Sequence, residues 1–238
     1  MKWSNGILVS MLLLLIAGVF ASNLVMKKEF DKTDKNDPYW NYSIVLEQPF
    51  KYLKIDGGNF TNIIYEPGAR SSVRILNDWQ RYNPALISSV IKNDTLCIRF
   101  VHQPRNPGER DWMSSQVLVR ISSPEILSFD GINTKFVMLK TRQKNLAVNM
   151  SGWSSFEMES MVPELDNLHI IQRDSSEVIF EMSPEYRASS SFHAKNVWAE
   201  VRGSSLLDIG HGHIDSLQLQ VGDSVAVLLS GSAIRKAL

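Results

Sequence analysis

Two clusters of side chains in this sequence could do chemistry. Residues 210–215 read Gly-His-Gly-His-Ile-Asp, with His211 and His213 two positions apart. On a strand that spacing sends both imidazoles to one side, as metal ligands would need, and Asp215 continues the row. Gly210 and Gly212 instead favour a turn, and no third ligand is identifiable from the sequence. His211 and His213 are therefore metal candidates only, and the expectation is no metal centre and no cofactor. The second cluster is Trp198 with His169, Arg173, Arg202 and Gln218, an aromatic ring among hydrogen-bonding groups, which is a platform suited to a sugar or a peptide.

Catalysis finds less support. Cleavage of a polysaccharide needs two carboxylates facing one groove. Glu157, Glu159, Glu177, Glu181, Glu200, Asp208 and Asp215 are spaced as strand decoration, and the expectation is that they do not pair. A nucleophile elbow, a glycine-rich phosphate loop and a Cys-x-x-Cys pair are all absent from the sequence. Cys97 is the single cysteine, so an intrachain disulfide and a thiolate cluster are excluded. No catalytic residue is assigned, and the chain is expected not to be an enzyme. The alternative is a hydrolase or lyase acting on polysaccharide.

The elements that must position these side chains are strands. From about residue 40 to Ser122, short alternating apolar runs such as Tyr52–Gly58, Thr61–Gly68 and Asp94–Phe100 are separated by Gly, Pro and Asn turns. Two polar loops, residues 77–85 and 102–113, interrupt them, and no convincing helical period occurs in this part.

The second half repeats. Thirteen-residue segments starting at Leu146, Leu168, Val197 and Leu217 align without a gap. Positions one, three, five, eleven and thirteen are apolar in nearly every copy, Gln172 being the exception. The seventh position is Gly152, Asp174, Gly203 or Asp223, and the ninth is Ser154, Ser176, Ser205 or Val225. A looser copy starts at Ile126, so the starts are 20, 22, 29 and 20 residues apart. Such periods mark units that bury their apolar face only by stacking on neighbours. The reading is an all-β right-handed parallel β-helix, with the Gly/Asp-x-Ser step turning each corner and parallel crossovers favouring the right hand. A β-sandwich is the alternative.

The amino terminus sets the compartment. Ile7–Met26 is apolar except for Ser10, Ser22 and Asn23, and a helix of about 20 residues spans a bilayer core of ~30 Å. Ala21 also offers a cleavage site for a secretory signal. An uncleaved anchor is favoured because the apolar run continues through Leu24-Val25-Met26, although Lys27-Lys28 on the far side oppose that orientation. Residues 1–26 are thus read as a membrane anchor or signal peptide, 27–42 as a charged tether and 43–238 as the β domain. The 25 basic and 25 acidic side chains cancel and are scattered, so no nucleic acid partner is expected.

The segments "YLKIDGGNFTNIIYEPGARSSVRI", "DTLCIRF" and "VLVRISSPEILSFDGINTKF", followed by "SGWSS", "RDSSE" and "RGSSLLDI", resemble the auto-transporter adhesin head GIN domain family of Bacteroidetes envelopes over about residues 44–233. The resemblance implies an exported right-handed β-helix with a part in adhesion, and no catalytic residues to carry over. The resulting expectation is a protein anchored in the inner membrane and facing the periplasm, or at the surface if the signal is removed. Its membrane contact would be residues 7–26, and its ligand a glycan, a peptide or an envelope protein.

Overall fold

A computed structural model describes residues 2–31, 34, 36–82, 87–101, 104–140, 143–159, 164–181, 193–210 and 213–229. The chain divides into two units, residues 1–41 and 42–238. In the first, helix α1 (Lys2–Asp31) includes a 26-residue stretch, Gly6–Asp31, whose most apolar 18 residues have a mean hydropathy of 2.4 and are not buried. It is long and apolar enough to cross a membrane.

The second unit is mostly β. Its first part contains β1 (Tyr42–Leu46), β2 (Tyr52–Asp56), β3 (Asn62–Pro67), β4 (Ser72–Leu76), helix α2 (Asn77–Tyr82), β5 (Ile87–Lys92), β6 (Thr95–Phe100), helix α3 (Pro107–Ser114) and β7 (Val117–Ser123). The second part alternates β8 (Ser128–Ile132), β9 (Lys135–Leu139), β10 (Asn145–Ser151), β11 (Ser155–Glu159), β12 (Glu164–Gln172) and β13 (Glu177–Glu181). It ends with β14 (His193–Val201), β15 (Leu206–Asp208), β16 (His213–Val221) and β17 (Ala226–Leu228).

Among the described residues these strands form two large mixed sheets and no closed barrel. One has the order β1-β4-β7-β3-β9-β11-β13-β15-β17 and the other β16-β14-β12-β10-β8-β2-β6-β5. From β8 onward, successive strands alternate between the sheets and each pairs in parallel with the strand two further on. Leu146 pairs with Leu168, Leu168 with Val197 and Val197 with Leu217, so the four gap-free segments lie in register. The first part differs: β1 with β4, β4 with β7 and β5 with β6 are antiparallel. The β5–β6 hairpin turns at Asn93-Asp94, both at positive φ, which is the two-residue turn whose twist suits antiparallel strands.

Two sequence expectations need correction. The looser copy is out of phase in its first strand, because Phe129 pairs with Val148 and the true start is therefore Leu127, not Ile126. Phe136 still pairs with Phe156, so the corner between β8 and β9 is one residue shorter than its successors and absorbs the difference. The two polar loops also contain helices. In α3, Asn106 caps Glu109 N at 2.9 Å while the Glu109 carboxylate accepts from Arg105 N at 2.7 Å, and Pro107 opens the first turn. Both helices are too short to show a period, and what holds them is apolar: Trp79 stacks on Trp112 with centroids 6.4 Å apart, and Met113 is fully buried.

The core lies between the sheets. Phe129 of one sheet stacks on Phe136 of the other at 4.1 Å, and Phe156 and Phe180 extend the row. Each corner is a column of left-handed residues, Asn133, Gly152, Asp174 and Gly203, with φ between 51° and 73°. Adjacent corners bond directly: Trp153 N donates to Asn133 Oδ1 at 3.0 Å, Gly152 N to Asp174 Oδ2 at 3.0 Å and Ser204 N to Asp174 O at 2.6 Å. The ninth-position serines turn inward and are buried. Ser154 Oγ donates to Ser151 O at 2.6 Å and Ser205 Oγ to Arg202 O at 2.7 Å, closing each turn on its own backbone. Gln172 breaks the apolar pattern because its buried Nε2 donates to two corner carbonyls, Ser176 O at 3.2 Å and Leu206 O at 2.9 Å.

Candidate functional site

The outer face of the eight-stranded sheet carries the side chains singled out in the sequence. Parallel register stacks equivalent positions, and one column runs Tyr52, Ser128, Ala147, His169, Trp198, Gln218. Three of the five proposed residues thus stand side by side on β12, β14 and β16. The His169 and Trp198 rings meet edge to face with centroids 4.2 Å apart, which leaves Trp198 half-buried and His169 exposed. Such aromatic contacts add about 0.5–1.5 kcal/mol beyond burial and fix the indole in place. Gln218 is exposed on β16, at the edge of the sheet.

The neighbouring column runs Lys54, Asp130, Asn149, Ile171, Glu200, Gln220. Asn149 Nδ2 donates to Asp130 Oδ1 at 2.6 Å, and Arg202 Nε bonds Glu200 at 2.7 Å. Arg173 and Arg202 follow the last residues of adjacent strands, but only Arg173 lines the shallow groove of about 310 Å³ that lies over Lys54, Asp130 and Asn149. Arg202, ion-paired with Glu200, stands outside that groove. The face can therefore present one fixed aromatic edge, one guanidinium and a row of amides.

Near the strand starts, Lys195 Nζ bonds Asp166 Oδ1 at 2.6 Å between β14 and β12. The hydrogen bond from Lys195 holds the Asp166 carboxyl below its ordinary range, and the same bond raises Lys195. His213 opens β16 and faces Asp215, while His211 lies outside the described residues. The partner that the sequence reading missed is His193, the first residue of β14. The signal was present: Val197 and Leu217 start copies 20 residues apart, and the same step separates His193 from His213.

A second feature carries no sequence signature. A cleft of about 700 Å³ opens between the β2–β3 turn and the start of α3, lined among others by Asp56, Asn59, Phe60, Arg105, Arg110 and Asp111. The turn makes room through Gly57 and Gly58, both at φ near +90°, where a Cβ on Gly58 would sit 2.8 Å from the Phe100 ring. Arg99 bonds Asp56 at 3.0 Å beside it.

No family model matches the chain, and no curated protein does. Among solved structures, the chain is similar to a candidate lipid-binding protein from Parabacteroides distasonis, at 12% identity and a TM-score of 0.42 over 79% of this chain and 96% of that one. It is also similar to a candidate adhesin from Bacteroides fragilis, at 14% identity and a TM-score of 0.39 over 79% and 96% of the two chains. A candidate adhesin from Parabacteroides merdae gives 12% identity and a TM-score of 0.32 over 78% and 94%. Likenesses this loose carry no argument about what the present chain binds.

Proposed function

We propose that this chain is an exported, membrane-anchored envelope protein whose β domain is a right-handed β-helix of the GIN kind, binding a ligand or scaffolding without catalysis. Residues 1–26 are the anchor, 27–42 the tether and 43–238 the binding body. The helical coil is supported by the parallel ladders that run through both sheets from β8 to β17, joined by crossovers that are right-handed in about 98% of parallel connections. A non-catalytic role is supported by the carboxylates of the outer face: Asp130 accepts from Asn149 and Glu200 is held by Arg202.

The observation that carries the functional reading is the column His169, Trp198, Gln218. Three hydrogen-bonded strands hold the backbone of these residues in fixed relation and the His169 ring abuts Trp198, so a ligand meets a surface whose entropic cost of arrangement is reduced. An aromatic edge with amide, imidazole and guanidinium neighbours suits a glycan first and a peptide second. The test is an array of bacterial envelope and host glycans probed with the full chain in detergent. The reading expects a saturable hit that Trp198→Ala weakens by about tenfold, or 1.4 kcal/mol. A hit that Trp198→Ala leaves unchanged would place binding elsewhere.

A further inference from the structure

Two imidazoles and a carboxylate converge where β14 and β16 begin. His193 and His213 are register partners on adjacent parallel strands, with ring centroids 5.2 Å apart. Asp215 follows His213 by two residues and so projects from the same face. Its oxygens divide between the rings: Oδ2 lies 3.3 Å from His193 Nε2 and Oδ1 lies 3.2 Å from His213 Nε2. Ligand atoms of all three residues lie within 4.8 Å of one another.

These separations are long for charge-assisted hydrogen bonds, which close to about 2.7–2.9 Å. A shared metal would draw the groups together from there: with bonds of about 2.0–2.1 Å at the tetrahedral angle, neighbouring donor atoms stand about 3.3 Å apart, the distance at which each Asp215 oxygen already faces one imidazole. Among the described residues, the nearby lysines are already matched, Lys195 to Asp166 at 2.6 Å and Lys144 to Glu164 at 3.3 Å. Two imidazoles with one carboxylate select Zn²⁺ and its transition-metal neighbours over Ca²⁺ or Mg²⁺, which take oxygen donors.

We propose that His193, His213 and Asp215 bind one Zn²⁺ as three protein ligands, with the fourth position open to water. His213 and Asp215 are exposed and His193 half-buried, so that position faces solvent. Because β16 is the outermost strand of its sheet, the metal would also clip that edge to β14. The inference does not rest on the Trp198 platform.

The experiment uses the full chain without a histidine tag, in detergent and stripped with EDTA, titrated with Zn²⁺ by calorimetry and with Co²⁺ by visible absorbance. One equivalent should bind, giving the intense bands of four-coordinate cobalt. His193→Ala and His213→Ala should each weaken binding at least about tenfold, the least that loss of even a supporting group costs. His102→Ala, which removes an imidazole that is no ligand in this proposal, should leave metal uptake unchanged. Asp215→Asn preserves shape and serves in place of an alanine variant that fails to fold. Absence of saturable uptake, or equal loss in His102→Ala and His193→Ala, would overturn the proposal.

Discussion

Replacing Gly203 by alanine should destabilise the β domain far more than replacing Gly222, although both glycines lie at corners of the same stack. Gly203 sits at φ +73°, where an L residue costs about 1–2 kcal/mol. An added Cβ would also lie 2.4 Å from Asp174 O and 2.8 Å from Asp174 N. Those are backbone atoms of the neighbouring strand connection, and they cannot retreat freely. Ser204 N bonds Asp174 O at 2.6 Å, with Arg202 N on Gln172 O and Leu206 N on Ser176 O, both at 2.9 Å, on either side. Relieving the clash sacrifices at least one of these bonds, worth about 0.5–1.5 kcal/mol. Together the two effects come to about 1.5–3.5 kcal/mol. At Gly222 the nearest atom to an added methyl would be Arg202 Cα at 3.7 Å, an ordinary contact with no positive φ, and the change should stay within about 0.5 kcal/mol. Urea unfolding followed by circular dichroism compares the two variants through their midpoints at constant slope. Equal, small losses would refute the corner stacking from which the difference is worked.

Phe156→Ala empties a fully buried position between Phe136 and Phe180 and should cost about 3–5 kcal/mol in the same urea assay. Tyr65 is buried, and its hydroxyl donates to Ser123 O at 3.0 Å; burial raises its pKa above the ordinary 10.0. The folded state therefore keeps this proton while the unfolded chain loses it. Stability is intact below about pH 10 and falls above it, by up to about 1.4 kcal/mol per pH unit until the folded group itself titrates. Absorbance titration should show a late phenol that Tyr65→Phe removes, at a cost of about 1 kcal/mol near neutral pH, since Gly68 N still bonds the freed carbonyl at 2.9 Å. Deleting residues 2–26 should move the protein from the membrane fraction to the soluble one on carbonate extraction, because no other described helix is long and apolar enough to cross a bilayer.

How much of this was legible depends on where the side chains point. Leu146, Leu168, Val197 and Leu217 lie on strands whose inner residues alternate against a common core, so their spacing in sequence became their pairing in space. Leu127 does not stand out as the start of the first copy, because a corner shortened by one residue between Ile132 and Lys135 changes phase without changing composition. The antiparallel strands β1, β4 and β5 are short apolar runs like the parallel ones, so direction could not be read from them. Helices of six and eight residues leave no period, yet the Asn106-Pro107 start with Glu109 was a readable cap. Trp198 and His169 were placed on one face by register, whereas the engagement of Arg202 by Glu200 depends on two rotamers that no pattern encodes. His193 lies outside the aligned copies, and only the 20-residue step to His213 points to it.

The in-register parallel wall is what both proposed sites stand on, and pulsed electron spin resonance measures it directly. With Cys97 replaced by serine, spin labels at Ser128 and Gln218 occupy one column four strand spacings apart, as do labels at Asp130 and Gln220 in the next. At ~4.8 Å per spacing, both pairs should give backbone separations of about 19 Å. Two separations that differ by more than the label arms allow, or either one beyond about 30 Å, would contradict the stacked parallel arrangement.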